Sequence, residues 1–328
     1  MIVPDFWAEA RVQRPRKGKE SAITVRRFGW SETSQAEAEV MARERAEAAL
    51  QRIIGGHFLL HRSEPKIPYN GADGVPIREE VLSRHGDVVI TRNSYGAHCL
   101  NTPDVVFADI DYDTGPRTRA VVFHVGLLMV VGALLSAWFR SRIIFGGLVF
   151  AVLVLSYPLA ILTHRFLLRL RGGAVTLARK RIDAFVQTHR DWHLRLYRTP
   201  AGLRILVLHR SFRPDDPAVS QFFSALGVDP VYARMCVNQQ CFRARVSPKP
   251  WRIGLTKHLR PRPGVWPVKD EHRARRNSWI REYESTSERF ASCAYLTSIG
   301  SQTVDPKATR VLELHDALSQ ALSRKAIA

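Results

Sequence analysis

Residues 120–139 read AVVFHVGLLMVVGALLSAWF, and residues 143–163 read IIFGGLVFAVLVLSYPLAILT. Each run has roughly the 20 residues that an apolar helix needs to cross a hydrocarbon core, and neither contains a carboxylate. Only Arg140, Ser141 and Arg142 lie between them, so the two spans are expected to fold back as an antiparallel helical hairpin. Arg117 and Arg119 precede the pair, and Arg165, Arg169, Arg171, Arg179, Lys180 and Arg181 follow it, against two arginines in the turn. The positive-inside rule then predicts a multi-pass protein of the cell (inner) membrane with both termini cytoplasmic. Trp138 and Tyr157 suit the two interfaces, and Pro158 loosens the second span. His124 is either an accommodated polar group or a mark of a proton path.

Outside these spans the chain is polar and strongly basic, with a formal charge of +19 over 328 residues. Such a balance calls for an anionic partner: nucleic acid, nucleotide phosphate or lipid headgroup. The four cysteines, Cys99, Cys236, Cys241 and Cys293, form no C-x-x-C pair, which suits thiols in a reducing compartment. Cys236 and Cys241 lack the second ligand pair of a structural zinc site. The first 19 residues hold no apolar stretch of the kind a signal peptide requires.

The flanks read as alternating strands and capped helices. Residues 22–28 (AITVRRF) alternate as a half-buried strand does, and Ser34-Gln35-Ala36-Glu37 then opens a helix with a capping-box pattern that Gly55-Gly56 ends. Short strands are expected at 87–91 and 105–110. A helix is expected at 175–189, and 193–209 (HLRLYRTPAGLRILVLH) forms a β-hairpin around Thr199-Pro200-Ala201-Gly202. Further helices are expected at 218–226 and 306–323, with a strand near 294–299 between them. The fold class is therefore α+β, a mixed or antiparallel sheet with flanking helices, interrupted by a two-helix transmembrane hairpin. Residues 1–118 form a first cytoplasmic part, 119–166 the hairpin (119–139 and 143–164), and 167–328 a second part. Neither flank has a complete set of sheet partners, so the two are expected to co-fold into one sheet.

The acidic strand Val105-Val106-Phe107-Ala108-Asp109-Ile110-Asp111-Tyr112-Asp113 carries the sharpest chemistry. Residues two apart on a strand share a face, so Asp109, Asp111 and Asp113 project together. Carboxylates grouped in this way repel one another unless a divalent cation neutralises them, which points to Mg2+ or Mn2+ with a bound phosphate. A solvated acidic turn before Thr114-Gly115-Pro116 explains the same residues. The hairpin supplies Arg195, Arg198, Arg204 and His209, either as a clamp for a nucleotide triphosphate or as an ordinary solvent face.

A strand ending in DxD, followed by the hairpin Tyr197-Arg198-Thr199-Pro200-Ala201-Gly202-Leu203-Arg204, resembles the catalytic core of archaeo-eukaryotic primases and primase-polymerases. In that family an hhhDhD strand supplies metal ligands, and a later strand carries an s-x-H motif that binds the incoming nucleotide. The resemblance implies Asp109 and Asp111 as catalytic metal ligands and metal-dependent nucleotidyl transfer. Arg204 stands in for the histidine, with Arg198 and His209 also on the phosphates. It spans residues 104–209 with the apolar hairpin removed. The family's third carboxylate has no counterpart, since Asp215, Asp216, Asp229 and Asp270 all read as loop residues.

Two other readings stand beside it. One is a membrane-attached glycosyltransferase whose DxD strand holds the metal and diphosphate of a nucleotide sugar. The other is a non-catalytic, membrane-tethered module whose basic face binds anionic lipid, nucleic acid or a protein partner. The stretch from Arg243 and Arg245 through Lys249, Trp251 and Arg252, continuing past Lys257, His258, Arg260, Arg262 and Arg273 to Arg276, provides that face. Aromatic rings interleaved with cations suit single-stranded nucleic acid, and equally anionic headgroups beside a bilayer.

Overall fold

The chain begins with two nine-residue strands, β1 (Phe6–Arg14) and β2 (Ile23–Ser31), paired antiparallel from Phe6 opposite Ser31 to Arg14 opposite Ile23. The helix α1 (Gln35–Ile54) follows and turns a face of small residues, Ala38, Ala42 and Ala46, into the interior. That face is needed because the helix backbone approaches the sheet very closely. A Cβ on Gly29 would stand 2.2 Å from the Ala38 carbonyl oxygen, so only glycine fits. Ser34 caps the helix by accepting the Glu37 N–H. The reciprocal half of the capping box does not close, because the Glu37 carboxylate accepts from the Ser31 hydroxyl instead, at 2.6 Å.

The remaining strands are β3 (Glu80–His85), β4 (Val88–Arg92), β5 (His98–Thr102) and β6 (Phe107–Asp111). Three consecutive helices come next, α2 (Thr118–Phe139), α3 (Arg142–Leu170) and α4 (Gly173–Thr188). Beyond them lie the hairpin β7 (His193–Arg198) and β8 (Gly202–Val207), the helices α5 (Pro217–Leu226) and α6 (Pro230–Gln239), and β9 (Phe242–Arg245). The chain closes with α7 (Asp270–Ser287), β10 (Phe290–Ala291), β11 (Ala294–Gly300), α8 (Pro306–Ser319) and β12 (Ala326–Ile327). Asp216, Asp229 and Asp305 accept backbone N–H groups at the starts of α5, α6 and α8, each followed by a proline. Asp216 and Asp229 therefore act as helix caps, a role the loop reading passed over.

This computed structural model describes residues 1, 3–15, 22–57, 62–64, 75–112, 115–116, 118–139, 142–262 and 266–328. The expectations for Asp113 and for the turn at Arg140 and Ser141 lie outside the described residues. The chain divides into two compact units, Met1–Ile110 with Val186–Ala328, and Asp111–Phe185.

The first unit is α+β, with antiparallel sheets and flanking helices. One four-stranded sheet has the order β3-β4-β5-β9 and another the order β11-β7-β8-β6. Each takes strands from before α2 and from after α4, so two sheets are assembled from both flanks where the pattern predicts one. Alternation also misjudges the interior strands. All five residues of β4 and all six of β8 are buried, as befits strands covered on both faces, and the polar members of such strands must find internal partners.

In the second unit α2 and α3 pack against each other. Among the described residues one helix, α2, is long and apolar enough to cross a membrane. The second apolar run belongs to a longer helix of 29 residues that contains Pro158 and continues through His164, Arg165 and Arg169. His124 is absorbed locally, its Nδ1–H donating to the Ala120 carbonyl at 2.7 Å while Nε2 lies 3.0 Å from Thr163 Oγ1 on α3. A histidine engaged at both nitrogens ties the two helices together.

Candidate functional site

β6 and β8 are neighbours in the sheet, and the Val207 N–H donates to the Val106 carbonyl at 3.0 Å. That pairing sets Asp109 of β6 beside Arg204 of β8. Asp109 and Asp111 share the open face of β6, while Ala108 and Ile110 face inward and are buried. Arg204 is 1% exposed. Its Nε donates to Asp109 Oδ1 at 2.8 Å and its Nη2 to Oδ2 at 3.0 Å. Nη1 donates to the Arg245 carbonyl at 2.6 Å and lies 3.5 Å from His315 Nε2.

The Asp109 side chain keeps 47% of its surface open to solvent. Its surroundings push the pKa upward by desolvation, and the Arg204 guanidinium outweighs that, leaving the carboxyl below the usual aspartate value. The fork-to-fork geometry is the strong form of the carboxylate–guanidinium pair. Both oxygens of Asp109 accept from Arg204, so a divalent cation there would compete with the Arg204 charge for the same carboxylate. Among the described residues no group of three or more His, Cys, Asp or Glu side chains is placed to hold a metal ion. Of the three carboxylates expected to hold Mg2+ or Mn2+, Asp109 and Asp111 lie on one face of β6 and Asp113 is outside the described residues.

The other residues expected on phosphates are dispersed. Arg198 is exposed near the end of β7, opposite Leu203. His209 is 9% exposed, packed among Trp192 and Phe212 with ring centroids 4.8 and 5.4 Å away. Burial pushes its pKa down to about 4, so it is neutral in the interior at ordinary pH and presents no charge to an anion. The basic stretch divides in the same manner. Arg243 is buried against Glu79, and Arg245 gives its carbonyl to Arg204. Lys249 and Arg252 are half-buried, while Trp251 is exposed.

The structure assembles one cluster that no spacing in the sequence announces. His315 of α8 is fully buried, its Nδ1 3.0 Å from Asp316 Oδ1 and its Nε2 3.9 Å from Cys293 Sγ. Asp316 also accepts from Tyr197 Oη at 2.6 Å and from Arg195 Nη2 at 2.7 Å. Arg195 in turn lies 3.9 Å from the centroid of the Tyr295 ring. The order Cys–His–Asp resembles a nucleophilic triad, but Cys293 has no solvent-accessible surface. The cluster instead fastens α8 to β7 and β11. Its only local signal is the run Val311, His315 and Ser319, four residues apart on the buried side of α8.

No family model, curated protein or solved structure matches this chain. Function therefore rests on the geometry. The Asp316 contacts carry a pH test. Burial raises the Asp316 pKa, and hydrogen bonds from His315 and Tyr197 more than reverse this, so its folded-state value lies below the ordinary 3.8. A depressed carboxyl contributes stability that is complete above its unfolded pKa and vanishes as pH falls through the folded one. Asp316→Asn is accordingly expected to be less stable than wild type at neutral pH. The gap should close as pH drops below 3.8, as read from urea midpoints in detergent. A gap that persists at low pH would assign the loss to packing alone.

Proposed function

We propose that the chain is a non-catalytic, membrane-tethered binding module whose basic surface receives an anionic partner. The observation that carries the tether is α2. It runs for 22 residues with only Gly132 buried, and it leaves Val122, Phe123, Leu134 and Trp138 open. Its length is about 33 Å, sufficient for a hydrocarbon core. Apolar surface on that scale is not stable in water. In this reading α3 returns alongside it, Phe150, Leu162 and Phe166 also facing lipid. An antiparallel pair of crossings would leave both chain ends on one side of the bilayer, and the arginine bias favours the cytoplasmic side.

The test is extraction of membranes holding the full chain. Retention in the pellet after alkaline carbonate supports insertion, and so does release by detergent alone. Release by carbonate or by high salt would reduce the attachment to surface adsorption and overturn the tether.

One observation favours a second reading, metal-dependent nucleotidyl transfer of the primase type: Asp109 and Asp111 share a strand face beside β8. That chemistry would need Asp109 to hold a metal ion in competition with Arg204. The bidentate pair weighs against it.

A further inference from the structure

Several cations of the basic stretch already have acidic partners. Arg243 pairs with Glu79, Arg276 with Glu80 and Arg273 with Asp270. Lys257, Arg260 and Arg275 are different, since among the described residues none of them forms an ion pair. They converge on one cavity of about 410 Å3, where the hydroxyls of Thr256 and Ser278 add donors and Glu282 stands as the single carboxylate. Two elements build it. The loop after the short 3-10 turn Pro250–Arg252 carries Lys257 and Arg260. On α7, Arg275, Ser278, Trp279 and Glu282 follow at helical spacing and so share a face.

The cavity wall is held firmly. Trp279 Nε1 donates to the Lys257 carbonyl at 2.8 Å, which fastens the loop to the helix. Its ring stacks on Tyr283 with centroids 5.3 Å apart and planes 7° from parallel. It also lies against Gly96 so closely that a Cβ there would be 2.3 Å from a ring carbon. Tyr95, the next residue, meets Trp251 edge-on at 5.3 Å. Trp251 is 51% exposed. Trp251, against Tyr95, and the cavity-wall residue Trp279, against Gly96, thus flank the same two-residue segment.

We propose that this cavity binds a backbone phosphate of single-stranded nucleic acid, with a base stacked on Trp251. The inference deepens the reading of a module for an anionic partner, and it is independent of the tether. Like charges brought together without counterions repel, and a phosphate relieves that repulsion while accepting hydrogen bonds from Arg260 and Arg275. The exposed indole offers the sequence-tolerant stacking surface that single-strand binders use. Glu282 can accept from a base amino group or a ribose hydroxyl. A lipid headgroup would satisfy the cations, but it would not stack on the ring face as a base does.

The experiment is fluorescence anisotropy of a fluorescein-labelled oligothymidylate with the detergent-solubilised full chain, over a salt series. Replacing both Arg260 and Arg275 with alanine is expected to weaken binding at least about tenfold and to make the salt slope shallower by about 0.7, the counterion release of one phosphate contact on a single strand. Trp251→Ala is expected to weaken binding about tenfold with the slope unchanged. All three side chains are exposed, so thermal midpoints equal to wild type confirm that the variants fold. Wild-type affinity in both variants overturns the proposal. So does the absence of oligonucleotide binding, and if a short-chain phosphatidylserine then binds through Arg260 and Arg275, the cavity belongs to a lipid headgroup. Either failure leaves the tether untouched, because no bilayer is present in the assay.

Discussion

Replacing Glu79 with alanine is expected to cost about 3–5 kcal/mol of unfolding free energy, the usual penalty for stranding one member of a buried ion pair. Glu79 is 3% exposed and its partner Arg243 7%. The Glu79 carboxylate accepts from the Arg243 guanidinium and, at 2.7 Å, from the Thr91 hydroxyl. Thr91 Oγ1 in turn accepts from Asn101 Nδ2 at 3.0 Å. Strands β4, β5 and β9 are thereby joined through side chains as well as ladders. With Glu79 removed, the guanidinium stays in the interior with no counterion, and Arg243 Nη1 already lacks a hydrogen-bond partner there. Glu79→Gln keeps an acceptor and is expected to lose less. The double replacement Glu79→Leu with Arg243→Met removes both charges and is expected to recover most of the loss. Chemical denaturation in detergent reads all three. A single-variant loss below about 1 kcal/mol would place the pair among weak surface-type contacts.

At Asp109 and Arg204 the expected result is an asymmetry. Asp109→Ala leaves a guanidinium that is 1% exposed without its anion, and the expected loss is again about 3–5 kcal/mol. Arg204→Leu deletes the more deeply buried partner, yet its cost is expected to be smaller, about 2–3 kcal/mol. The difference lies in what remains. The freed Asp109 carboxylate is 47% exposed and can be hydrated, so the chief penalty is the orphaned Arg245 carbonyl. Equal losses in the two variants would show that packing, not charge, dominates the site.

Replacing Asp109 and Asp111 together with asparagine separates the two functional readings. A binding module is expected to show no thermal shift from millimolar magnesium and nucleotide that depends on Asp109 and Asp111. A shift that Asp109→Asn with Asp111→Asn abolishes would instead favour nucleotidyl transfer.

How far local pattern reaches is clearest where the two readings of a residue diverge. The α1 cap, the β7–β8 hairpin and the faces of Asp109 and Asp111 on β6 follow from short-range rules of capping, turn chemistry and pleat. The fate of each charge does not. Arg204 alternates within an apolar strand, which suits a cation facing solvent, but it meets Asp109 from 95 residues away. Arg243 meets Glu79 across 164 residues. Periodicity states which face a side chain takes and is silent on what the other side of that face will be. The cavity between α7 and the loop after Pro250–Arg252 is equally hidden, because α7 carries little apolar patterning and Trp279 finds Gly96 only in three dimensions.

By itself, then, the sequence determined the long apolar helix, the α+β character of the flanks and the excess of positive charge, since each depends on composition or on neighbours within one or two turns. Only the tertiary structure decided which arginines are neutralised inside the sheets and which converge, unpaired, on an open cavity. The physical reason is that pairing energy depends on burial and on partners distant in the chain, and neither is written in local spacing.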